Sequence, residues 1–262
     1  EHSQLMAVNH AAGQKPVVVS RPVFELIRRA KTVSLMENSC FNLTIGPLVK
    51  RWKIGFRGDA VPPPAEIQSL LPLTRPDQVI LDPQTCAVFL TQAGMEIDLG
   101  AIAKGYIADR VRDLLLQMDI HHALINLGGN VLCVGGKSDS QDFTVGVKKP
   151  FTQSNELLLT LNLRDCSVVS SGTYERYFYE NDTFYHHILN PATGYPYDNR
   201  LTDVTILSAV SLDGDCLSTT CFALGLDDGL ALIESLDNIE AVFVTADGSI
   251  YYSSGMNRYL NE

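Results

Sequence analysis

The sequence predicts an α+β fold. Strand-patterned and helix-spaced stretches are mixed in both halves of the 262 residues, no internal repeat of fixed short period runs through them, and no linker composition separates the halves. At 45% hydrophobic and 19% charged residues, the chain is long enough to bury one large core or two closely joined lobes.

The elements follow in order. "PVFELIRRAKTVSLM" has the spacing of an amphipathic helix and runs into "NSCFNLTIGPLVKRW". The proline-rich "VPPPAEIQSLL" starts another short helix, and "QVILDPQTCAVFL" reads as two short strands around an Asp-Pro turn. Ala103, Ile107, Val111, Leu114 and Met118 recur at three- and four-residue steps, which predicts a helix with these residues on its apolar face. "HALINLGGNVLCVGG" reads as strand, glycine turn and strand, with "FTVGVKKPF" as a further strand. "CSVVSSGTYERYFY" and "TFYHHILNPATGYP" are expected to pair and end in a turn. "LTDVTILSAV" is a strand, "DGDCLSTTCFALG" a short helix closed by Gly225, and "DDGLALIESL" one more helix. "IEAVFVTADGSIYYS" closes the chain as a hairpin with Asp-Gly at its turn.

Charge narrows the partners. Twenty Lys and Arg against 30 Asp and Glu leave a net charge of −10, which argues against nucleic acid or an anionic membrane surface as the main partner. No apolar run reaches the roughly 18 residues of a transmembrane helix, and "EHSQLMAVNH" has neither the charged lead nor the apolar stretch of a signal peptide. The six cysteines show no CxxC pair and no zinc spacing. Free thiols in a reducing compartment are expected, hence a cytoplasmic location.

Four clusters offer chemistry. After Asp98 the slim "LGAIA" opens a helix whose first amides lack intrahelical partners; a phosphate could rest there with Lys104 adding a point charge. Alternatively Asp98 caps the helix and Lys104 is a solvated lysine. "NLGGN" allows either close backbone approach to a ligand or a plain tight turn. In "DGDCLSTT", Asp215 and Thr219 are four apart on one helix face and are hard oxygen ligands suited to Mg²⁺; otherwise Asp213 or Asp215 is an N-cap and Thr219 packs inward. "YHHILNPATGYP" places two histidines before a turn, one of them a candidate general base, although a buried histidine bonded to backbone is as common. Taken together, the clusters suggest metal-assisted chemistry on a pyrophosphate.

The order and wording of these clusters carry a resemblance. "SQLMAVN", "FNLTIGPLVKRW", "IDLGAIAKGYIADRV", "LINLGGNV", "FTVGVKKP", "SSGTYERYF", "YHHILNPATGYP" and "DCLSTTCFALG" resemble, in the same order, the FAD:protein FMN transferase family, ApbE, formerly labelled thiamine biosynthesis lipoproteins. The resemblance implies a T-fold-like α+β architecture over residues 1–262, a single domain lacking the family's N-terminal Met-Gly-Thr segment, with FAD bound between lobes. It implies a Mg²⁺-dependent reaction in which a threonine of an acceptor protein takes FMN from FAD and AMP leaves. Asp98 and Lys104 would contact FAD, and Ala101 would offer its backbone carbonyl to the metal. Asp215 and Thr219, with Ser218, would supply the other protein oxygens. His187 would be the base, Cys40, Phe41 and Asn42 would line the flavin side, and Ile188 would touch the nucleotide. Asn42 and Asn190 stand where the family usually has Asp. Alternatives are a Mg²⁺-dependent FAD pyrophosphatase releasing FMN and AMP, and a flavin-binding protein without turnover. Many members of the family are exported and lipid-anchored, the alternative to a cytoplasmic location.

Overall fold

Ser3 opens the first helix, α1 (Gln4–His10), by accepting the Met6 N–H on its hydroxyl at 3.2 Å. The computed structural model describes residues 3–36, 39–56, 60–152 and 156–261. The chain divides into two compact units, residues 1–100 with 176–197 and residues 101–175 with 198–262. The α+β expectation holds in both.

In the first unit, α1 is followed by β1 (Val17–Val18) and α2 (Arg21–Ser34), which buries Phe24, Ile27 and Ala30 at helical spacing. Next come α3 (Gly46–Trp52), α4 (Pro64–Leu70), and the strands β2 (Val79–Asp82) and β3 (Ala87–Leu90) on either side of the Asp-Pro turn. These strands form an antiparallel sheet in the order β1-β3-β2. After the chain's passage through the second unit it returns as an antiparallel hairpin, β9 (Tyr177–Glu180) and β10 (Thr183–His186). Trp52 anchors the local core: its indole N–H donates to the Gly194 carbonyl at 2.8 Å, and it packs beside the stacked pair Phe178 and Tyr185.

The second unit contains α5 (Ala103–Gln117), β4 (Ala123–Leu127), β5 (Asn130–Val134), β6 (Phe143–Lys148), β7 (Leu157–Leu163) and β8 (Ser167–Gly172). It continues with β11 (Leu201–Ser208), α6 (Ser211–Leu224), α7 (Leu226–Glu234), β12 (Glu240–Thr245) and β13 (Ile250–Tyr252). Six strands form one antiparallel sheet in the order β13-β12-β11-β8-β5-β4, and β6 pairs with β7. Alternation along β5 sends Leu132 and Val134 into a cluster with Ala108 of α5, and Cys133 into a cluster with Val145, Val147, Leu161 and Leu163 of the β6–β7 pair.

Two expectations need correction. "CSVVSSGTYERYFY" does not pair as one piece with "TFYHH". Its first part is β8, inside the six-stranded sheet, and only "YFYE" pairs with β10. The sequence changes units at Arg176 without any change in composition. The second correction concerns α5. Ile107, Leu114 and Met118 are exposed by 48%, 55% and 62%, so the apolar series traced in the sequence is largely a solvent face. The buried face carries Gly105, Ala108 and Asp109. Small residues win that face because α5 approaches α6 too closely for larger ones: a Cβ built on Gly105 would lie 2.3 Å from the Ser211 carbonyl oxygen.

Candidate active site

The opening of α5 is not built as the sequence suggests. Asp98 is no helix cap: its Oδ1 accepts the Gly100 N–H at 2.7 Å in an Asx turn, and the helix begins later, at Ala103, with Ile102 as a cap that offers no side chain. Lys104 is therefore the second residue of α5 rather than a turn inside it.

The amide that a straight continuation of the helix would return to the Ala101 carbonyl is that of Gly105. It donates instead to Asp215 Oδ2 at 2.8 Å, and the first helical bond is Tyr106 N–H to the Ile102 carbonyl. Asp215 of α6 is thus the anion seated on this helix start, and the Ala101 carbonyl stays outside the helical ladder. Only 4% of Asp215 is exposed. Burial pushes its carboxyl up from the usual range, against the opposing pull of the Gly105 amide and the charge of Lys104.

The rest of the oxygen set follows on α6. Ser218 is wholly buried; its hydroxyl donates to the Asp215 carbonyl at 3.0 Å and accepts from Ser171 Oγ at 2.9 Å. Thr219 is half-buried, 3.4 Å from the same Ser171 hydroxyl. Ala101, Lys104, Asp215, Ser218 and Thr219 all belong to the second unit. Among the described residues no group of three or more His, Cys, Asp or Glu could hold a metal ion. The donor set here is of another kind, one carboxylate with hydroxyls and a carbonyl. These hard oxygens fit Mg²⁺, which takes one or two carboxylates and completes its shell with water and phosphate.

The first unit carries Cys40, Phe41, Asn42, Asp98, His187 and Ile188. Its two histidines differ in what their ring nitrogens do. His186 is buried; its Nδ1 accepts the Ile188 N–H at 3.2 Å, and its Nε2 lies 2.8 Å from the Tyr197 carbonyl, so both nitrogens serve the backbone. His187 is half-buried, with Nδ1 3.2 Å from the Arg176 carbonyl. A carbonyl only accepts, so Nδ1 carries the proton and the lone pair of the neutral ring is on Nε2, the arrangement a general base needs. Phe41 and Ile188 are buried and Cys40 is half-buried. Asn42 Nδ2 donates to the Thr74 carbonyl at 3.0 Å, a bond no aspartate could make, while Asn190 Oδ1 accepts the Ala192 N–H at 2.8 Å, which an aspartate could do equally.

Gly128 and Gly129 both have positive φ, 61° and 93°, between β4 and β5, and form a two-residue hairpin turn. The sequence reading passed over Gly105, Asp109 and Ser171. A glycine in a helix's first turn, with an acid four residues on the same face, is the signal that could have found the first two.

The ApbE family model matches residues 1–243. The FAD:protein FMN transferase of Klebsiella pneumoniae (strain 342) is 55% identical over 252 residues, 96% of this chain and 78% of that protein. That of Treponema pallidum (strain Nichols) is 38% identical over 273 residues, 98% of this chain and 74% of the relative. The crystal structure of the ApbE protein from Thermotoga maritima superposes with a TM-score of 0.89 at 30% identity, covering 99% of this chain and 84% of that one. The shared architecture bears out the T-fold-like α+β expectation. With the family's model running across residues 1–243 and relatives at 55% and 38% identity aligned over nearly all of this chain, the chain belongs to the ApbE family.

Proposed function

We infer that this chain is an FAD:protein FMN transferase, moving FMN from FAD to an acceptor protein. The observation that carries this reading is the 55% identity, over 96% of the chain, to a protein of that name. The donor chemistry at the meeting of α5 and α6 supports it, because phosphoryl-type transfer needs charge neutralisation and positioning more than an enzyme nucleophile.

We assign the roles as follows. The Ala101 carbonyl, Asp215 and Thr219, with Ser218 in the same turn, hold Mg²⁺, and Lys104 and Asp98 contact FAD. When bound, Mg²⁺ neutralises charge on the diphosphate. Lys104 brings a point charge to a phosphate oxygen. His187 Nε2 takes the proton from a threonine hydroxyl of the acceptor; the threonine oxygen forms a bond to the FMN-side phosphorus, the bridging P–O bond breaks, and AMP leaves with that oxygen. Cys40, Phe41 and Asn42 stand on the flavin side, and Ile188 by the nucleotide. The cytoplasm is the proposed location.

The test is a mass spectrum of a threonine-bearing acceptor incubated with this protein, FAD and Mg²⁺. Transfer adds one FMN to the acceptor. Free FMN in equal yield with and without acceptor identifies a pyrophosphatase instead, and intact FAD identifies a binding protein.

A further inference from the structure

Neither α5 nor α6 caps itself. The residues before them, Ile102 and Val210, offer no side-chain acceptor. Each helix is capped by the other. Asp109, in the second turn of α5, accepts the first two amides of α6, Ser211 N–H on Oδ1 and Leu212 N–H on Oδ2, both at 3.0 Å. Asp215, in the second turn of α6, accepts the Gly105 N–H of α5 at 2.8 Å. Both carboxylates are 4% exposed, and the helices touch where Gly105 has no side chain. Arg112 tightens the junction: its Nη1 lies 3.3 Å from Asp109 Oδ1 and donates to the Ala209 carbonyl at 2.9 Å. The Ser211 hydroxyl donates to Asn130 Oδ1 at 2.9 Å and accepts from Ser167 at 2.8 Å, so the "NLGGN" segment also braces the start of α6.

We propose that Asp109 is a positioning residue for FMN transfer: by capping α6 from α5, it fixes the turn bearing Asp215, Ser218 and Thr219 against Lys104. This rests on the site assignment above. The α6 backbone that bears Asp215 shifts past the α5 start only if α6 slides or rotates on α5, and either motion breaks the bidentate grip of Asp109. A mere cap would stabilise α6 and leave the far helix untouched. A positioning residue couples the two helix starts.

The experiment is Asp109→Asn in the full chain, with folding checked by circular dichroism. The first readout is hydrogen exchange at single amides, without FAD or metal. Ser211 and Leu212 lose protection in either case; positioning requires Gly105 to lose at least ten-fold as well. The second readout is the Mg²⁺ concentration giving half-maximal FMN transfer, expected to rise at least ten-fold. Unchanged Gly105 protection, or an unchanged Mg²⁺ midpoint and kcat, overturns the proposal. Should Asp109→Asn not fold, Arg112→Leu reads the same two quantities, with shifts of at least three-fold expected and none overturning it. Failure of the wild-type chain to flavinylate any acceptor would sink the functional reading instead, and the exchange arm would then decide the coupling by itself.

Discussion

Lys104 and Asp215 show how much a residue's worth depends on its neighbour. The lysine stands next to Gly105, whose amide donates to Asp215, so its charge is shared between that carboxylate and any incoming phosphate. Replacing it by alanine should weaken FAD binding by roughly 1.5 to 3 kcal/mol, the size of one charge-assisted hydrogen bond. Titration of the folded variant with FAD checks this, and an affinity equal to wild type would return Lys104 to a solvated surface role. Asp215→Ala deletes the sole carboxylate of the proposed oxygen set. Mg²⁺-dependent FMN transfer should disappear, and activity surviving at saturating FAD and ordinary Mg²⁺ would refute the metal assignment. The residue types of the candidate site stand in the sequence, but their bonds do not. Asp98 reads as a cap because caps are local, yet the acceptor that holds the α5 amide lies 110 residues away. No spacing rule reaches that far.

At the scale of elements, the legible parts were those with local causes. Gly225 closes α6, the Asp-Gly pair turns the last hairpin, and Gly128–Gly129 turn β4 into β5, each because backbone conformation at one or two residues decides it. The α5 face failed because its packing partner is another helix at close range, so small residues are buried and long apolar ones are left to solvent. Gly105 tests this account. Alanine normally gains about 1 kcal/mol over glycine within a helix. Here its Cβ would meet backbone, the Ser211 carbonyl oxygen at 2.3 Å and Leu212 Cα at 2.7 Å, and neither can swing aside as a side chain could. Overpacking of this kind costs about 1 to 3 kcal/mol, so Gly105→Ala should be the less stable protein in urea. A variant as stable as wild type would mean the helices can part freely, and would weaken the reciprocal capping with it.

Across the whole molecule, buried acids tie stability to pH in a direction opposite to the usual one. Asp203 on β11 is fully enclosed and accepts from the Tyr174 hydroxyl at 3.1 Å and from Thr205 Oγ1 at 2.7 Å. Burial outweighs both donors and, with the nearby charge of Glu175, leaves its carboxyl pushed up to about 7. The unfolded chain releases this proton near pH 4 and the folded chain holds it to about 7. Between those limits the folded state carries the extra proton, so this group's contribution to stability falls as pH rises and levels off above 7. A shift of this size corresponds to roughly 4 kcal/mol across the window. Asp109 and Asp215, also raised by burial, act in the same direction, so the difference between wild type and Asp203→Asn isolates this one residue. Asparagine keeps the shape and cannot ionise. Relative to wild type, the variant should therefore gain urea resistance between pH 5 and pH 7.5. Equal differences at the two pH values would show that Asp203 is already ionised in the folded protein at pH 5, and that the hydroxyls of Tyr174 and Thr205 suffice to hold its charge.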